Sequence, residues 1–158
     1  MATDSLALAV QAATLLSSIT AVASIWIAVR VYRRQMNAQL FVAYTQRYEE
    51  IMSSFPPDAR KCRVANGTEL PRQSEALTLA VLRYLNLSSE EFYLYRTGHI
   101  TRRLWRIWED ELKKTVASDL IRREWVNLQT EFASYPEFRA FVEEVHNESE
   151  QPPTQTGS

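Results

Sequence analysis

Three observations predict an all-α protein in which a single N-terminal transmembrane helix continues into a cytoplasmic helical bundle. Between Asp4 and Arg30 lie 25 residues without a charge. Beyond them, apolar residues recur at steps of three and four, the period of a helix, and no stretch alternates convincingly as a half-buried strand would. The 158 residues include only three glycines, Gly67, Gly98 and Gly157, too few and too scattered for the glycine-rich loops that wrap phosphates in nucleotide-binding proteins.

The uncharged run, residues 5–29, holds 18 Ala, Val, Ile, Leu or Trp among its 25 positions. At about 1.5 Å per residue it makes a helix of roughly 37 Å, long enough for a hydrocarbon core of about 30 Å with some tilt. A cleaved signal peptide fits less well. The preceding residues 1–4 are acidic rather than basic, and the apolar run continues past Ala21-Val22-Ala23 through Ile25, Trp26, Ile27 and Val29. Orientation follows from the flanks. No Lys or Arg precedes the span and Arg30, Arg33 and Arg34 follow it, so the short N-terminus should lie outside and the rest in the cytoplasm. Trp26 and Tyr32 sit near the inner end, where amphipathic rings favour the headgroup layer. Within the span Ala9, Ala13, Ser17 and Ala21 recur every fourth residue, a small-residue face on which a second helix could pack, with Gln11, Thr14 and Ser18 available for hydrogen bonds between helices.

The helical period then runs on through residues 30–55, where Phe41, Tyr44, Tyr48, Ile51 and Phe55 form one stripe. Residues 56–72 contain three prolines and Asn66-Gly67 and read as a connector with a helical turn or two. The bundle proper is expected over 73–147, packing on 30–55. A long helix fits 73–97, with Leu77, Val81, Tyr84, Leu85, Phe92 and Tyr95 inward and Gly98 as its stop. Ser88-Ser89-Glu90-Glu91 is also a possible start signal that would divide it in two. Thr101 can cap a helix over 102–117 carrying Trp105, Trp108 and Leu112 on one face. Ser118 or Asp119 can cap the next, with Ile121, Trp125, Leu128, Phe132 and Tyr135 in step. Pro136 suits a first helical position and opens a last helix with Phe138, Phe141, Val142 and Val145 inward. Residues 148–158 have neither period nor apolar content and are expected to be disordered.

The formal net charge of −1 conceals an asymmetry: residues 30–106 carry a balance of +6 and residues 107–158 one of −6. The basic half begins at the membrane, where lipid contact accounts for its first arginines. An isoelectric point of about 6.2 and dispersed arginines argue against nucleic acid as a partner.

Little in the chain announces chemistry. Cys62 is the only cysteine and His99 and His146 the only histidines, so disulfide, CxxC and HExxH arrangements are absent and no metal or cofactor is implied. Acidic pairs read as solvated helix faces, with Glu109 and Glu111 in reach of Lys113 and Lys114. Glu91 is the exception. It falls on the apolar stripe between Ser88 and Tyr95, so it should be half-buried, facing an arginine such as Arg102, Arg103 or Arg106 in an ion pair that fixes helix register. Trp105, Trp108 and Trp125 are core residues by default and a partner surface otherwise.

The segment Arg83-Tyr-Leu-Asn-Leu-Ser-Ser-Glu-Glu-Phe-Tyr-Leu-Tyr, followed by Ile100-Thr-Arg-Arg-Leu-Trp-Arg-Ile-Trp, resembles small bacterial membrane-anchored proteins with an N-terminal transmembrane helix and a cytoplasmic helical domain of unknown function. The resemblance implies a bacterial inner-membrane setting and lends no catalytic residue. The expected role is therefore a non-enzymatic single-pass protein whose bundle binds another membrane protein or itself, as adaptor, regulator or accessory subunit. An oligomerising effector that perturbs the bilayer is the alternative, and an enzyme built around Glu91 or Cys62 a third.

Overall fold

The computed structural model describes residues 2–64 and 69–150, with the side chains of residues 2–9, 12 and 150 excepted. Among the described residues there are six α-helices, one 3-10 helix and no strand: α1 (Ala2–Ser54), α2 (Pro57–Cys62), α3 (Glu75–Arg96), α4 (Arg102–Val116), α5 (Asp119–Leu128), the 3-10 helix Gln129–Phe132, and α6 (Pro136–Glu150). The chain divides into two compact units, Met1–Leu40 and Phe41–Ser158, with the division inside α1.

In the first unit α1 carries no Gly or Pro to interrupt it, and every described side chain from Val10 to Gln35 is exposed. Its hydroxyls are satisfied within the helix: Thr14 donates to the carbonyl of Val10, Ser18 to Thr14, Thr20 to Leu16 and Ser24 to Thr20, each four residues back at 2.8–2.9 Å. Such back-bonding lets a hydroxyl sit in hydrocarbon without an unsatisfied donor. Thr14 and Ser18, read above as donors to a neighbouring helix, spend their protons on their own carbonyls. At the basic end the Arg30 guanidinium lies 5.3 Å from the centroid of the Trp26 ring one turn back, a cation–π contact within the helix.

The second unit is a bundle with its own core. Close helix packings join α3 to α4, α5 and α6, and α4 to α5 and α6, with α2 against α5. Leu77, Val81, Leu85, Leu112, Val116, Leu120, Ile121, Phe132, Phe138 and Val142 are at most 1% exposed, which makes this unit able to bury apolar area without help from α1's N-terminal half. The caps are the ones their sequences favour. Ser74, Thr101 and Ser118 accept from the backbone N–H three residues on, Leu77, Leu104 and Ile121 respectively. Gly98, at φ +75°, ends α3, with its N–H on the carbonyl of Tyr95 and that of His99 on Leu94, the left-handed turn for which glycine is suited.

Helix α3 is one helix, not two. Ser88 and Ser89 are buried, and the Ser89 hydroxyl donates to the carbonyl of Asn86 within the same helix, so neither is free to cap a new start. The connector's helical turns are α2, and α6 continues three residues beyond 147. The rest of the expected tail, 151–158, and the Asn66-Gly67 turn lie outside the described residues. The stripe of α1 reaches the bundle through long side chains. Phe55 is buried, Tyr44, Tyr48 and Ile51 are half-buried, and Phe41 is exposed.

Candidate functional site

Rings projecting from α1 hold its backbone off the bundle and leave a groove of about 400 Å³ lined by α1, α3 and α4. Each helix contributes one stripe: Tyr44 and Tyr48 one turn apart on α1, Tyr84, Leu87 and Glu91 on α3, and Trp108, Glu111 and Leu112 on α4. Tyr44 and Trp108 lie with ring centroids 5.4 Å apart, and Tyr48 meets Tyr84 edge-on at 6.5 Å, both within the range of attractive aromatic geometry.

Two ion pairs guard the rim. Arg47 takes Glu90 in a two-pronged contact, 2.6 and 3.1 Å, while the Tyr44 hydroxyl donates to the same carboxylate at 3.2 Å. Arg63 donates to Glu111 and to the Thr115 hydroxyl, both at 2.9 Å, and Tyr48 donates to Glu111 at 3.3 Å. Each guanidinium also lies over a ring, Arg47 5.4 Å from the Tyr44 centroid and Arg63 5.7 Å from that of Tyr48. Glu111 thus pairs across the fold with Arg63, whereas Glu109 keeps the local partner expected for it, Lys113 at 3.2 Å.

Adjacent on α3 and about 100° apart around it, Glu90 and Glu91 have opposite surroundings. Hydrogen bonding to Arg47 holds the Glu90 carboxyl below its usual range. Glu91 points into the groove, is 8% exposed, and makes no hydrogen bond or ion pair among the described residues. Burial pushes it up to about 8 against a partial offset from the Arg47 charge, so it is largely protonated at neutral pH. Burial also raises Tyr48 and Tyr84, and takes Tyr44 up to about 12, with the Glu90 charge adding to the effect. The buried Tyr84 hydroxyl meets those of Ser88 and Thr115.

The arginine partner expected for Glu91 is not there, because Arg102, Arg103 and Arg106 are exposed. Helices α3 and α4 run antiparallel from the turn at Gly98, so the first turn of α4 lies at the level of Tyr95, where Trp105 stacks on that ring at 5.0 Å and 5°. Glu91 faces α4 further along, at Trp108 and Leu112. The tryptophans separate accordingly. Trp105 is 2% exposed among Tyr95, Phe92 and Phe141, and Trp125 is 5% exposed against Phe132 and His146. Neither can present a partner surface. Trp108 alone of the three reaches the groove.

A second buried acid had no place among the sequence expectations. Glu124 is wholly buried and accepts from Thr78 at 2.8 Å, Gln73 at 3.5 Å and Arg123 at 3.0 Å, while Arg123 also donates to the Pro71 carbonyl at 2.8 Å. This cluster ties the connector to α3 and α5. The signal that singled out Glu91 also marks Glu124, which follows Ile121 by three and precedes Leu128 by four on the apolar stripe of α5.

Elsewhere, Cys62 is buried, with its thiol directed at the carbonyls of Asp58 and Glu69. His99 bonds the Thr97 hydroxyl and His146 the Val116 carbonyl. No group of three metal-ligating side chains occurs among the described residues. In the first unit Ala13, Ser17 and Ala21 share one exposed face of α1, while the side chain of Ala9 lies outside the description. Comparison of the chain with protein-family models, curated proteins and solved structures finds no match.

Proposed function

We propose that the chain is a single-pass protein of a bacterial inner membrane, with its N-terminus outside and a cytoplasmic helical bundle that binds a membrane protein or a second copy of itself, without catalysis. The observation that carries this reading is the exposure of α1. Its Ala13–Ser54 portion contains an apolar window of mean hydropathy 1.7, none of it buried, and Val10, Leu15, Leu16, Ile19, Val22 and Ile25 each expose more than half their surface. So long an apolar surface on every side of a helix requires a nonpolar surrounding. Arg30, Arg33 and Arg34 support the orientation, and the self-contained core of the second unit supports a domain that folds in water.

Association is expected through the Ala13, Ser17 and Ala21 face, since small side chains let helix backbones approach. In native membranes Ser17→Cys should give an oxidatively crosslinked band, and Leu15→Cys, on the opposite side of the helix, should not. Equal crosslinking at both positions, or none at either, contradicts association through this face.

A further inference from the structure

The geometry points to the groove lined by Tyr44, Tyr48, Tyr84, Trp108 and Glu91 as a binding site for a small organic cation, a quaternary or alkylated ammonium ion. Three carboxyl groups lie in or beside the groove: Glu91 and Glu111 line it, and Glu90 is held at its edge by the Tyr44 hydroxyl. Glu90 and Glu111 are paired with Arg47 and Arg63, and Glu91, the most deeply buried of the three, makes no hydrogen bond or ion pair among the described residues. Once ionised, Glu91 is the one carboxylate of the three that lacks a cation among the described residues.

Its walls select the kind of cation. Aromatic faces attract cations most strongly when the ion is weakly hydrated, and two already lie over the rings of Tyr44 and Tyr48 at the rim. No group of three metal-ligating side chains occurs here among the described residues, short of the oxygen shell a metal ion needs. The volume of about 400 Å³ falls in the range of small-molecule sites, about 300–1,000 Å³.

Because Glu91 is raised to about 8, the empty groove is neutral at pH 7, and ionising it there weakens binding by only about tenfold. Entry of a cation should therefore expel the Glu91 proton. Arg47 and Glu90 are the charged groups whose fields reach this carboxyl, and their mutual pair stays intact through the range concerned, since Glu90 is lowered and Arg47 raised.

The test uses the full chain in maltoside micelles, which carry no choline headgroup, with choline as probe and dimethylbutanol as its uncharged isostere. Calorimetry and tryptophan fluorescence should show choline binding at least about tenfold tighter than the alcohol, an affinity that rises from pH 6 towards pH 9, and release of about one proton per choline at pH 6. Glu91→Gln should weaken choline about tenfold or more and remove the pH dependence. Absence of choline binding, equal binding of the alcohol, binding without proton release in the unaltered protein, or an unchanged affinity in a folded Glu91→Gln variant would each overturn the assignment.

Discussion

Glu124→Ala is expected to lower the stability of the bundle by about 3 kcal/mol, read as a shift of the denaturant midpoint at unchanged slope. The carboxylate is fully buried and is the common acceptor for Thr78, Gln73 and Arg123. Removing it leaves the Thr78 hydroxyl without its acceptor and Arg123 beside an empty space, so the cost includes desolvation of groups that stay behind. Pairing Glu124→Ala with Thr78→Val separates the contributions. The two changes should be less than additive by about 1 kcal/mol, because both delete the same 2.8 Å bond. A Glu124→Ala variant within about 0.5 kcal/mol of the unaltered protein would show that the connector is not held by this cluster.

Glu91→Gln should have an effect of similar size and opposite sign, which develops as pH rises from about 4.5 to about 8. The folded-state value of Glu91 is raised from 4.5 to about 8, so the protonated form is the one that folding favours. Its stabilising contribution is complete below about pH 4.5 and is lost as pH rises through about 8. Relative to the glutamine variant, which has no proton to lose, the unaltered protein should lose roughly 4 kcal/mol between pH 4.5 and pH 9. The neighbours leave this window clear. Glu90 titrates below it, and Tyr44 and Tyr84 above it. Parallel stability profiles for the two proteins across this range would mean that Glu91 is solvated or paired when folded.

The cap at Thr101, the start of α5 at Ser118 or Asp119, the stop at Gly98 and the start at Pro136 could all be read from residue order, because each depends on chemistry within three or four positions. The unbroken α3 could not. Whether Ser88 and Ser89 cap a new helix or continue an old one depends on their burial, which partners from other helices decide. Glu91 shows the same division. Its inward position follows from the 3.6-residue period, but its missing arginine depends on the antiparallel register of α3 and α4, which no local pattern encodes. The groove belongs wholly to that second class. The spacing that marks Tyr44 and Tyr48 as a packing stripe says nothing of how far their rings hold α1 from Trp108 and Leu112. Glu124 was available to the same stripe argument as Glu91 and is hidden by its neighbours Arg122 and Arg123, which make the segment look like a solvated face.

The central claim is that residues 5–29 cross a bilayer with the bundle on the cytoplasmic side. Membrane-impermeant maleimide labelling tests it most directly, with single cysteines introduced at Thr3 and at Glu148 in a Cys62→Ser background. Thr3→Cys should label in intact cells, and Glu148→Cys only once the membrane is permeabilised. Labelling of Glu148→Cys in intact cells, or recovery of both variants in the soluble fraction, would contradict the account.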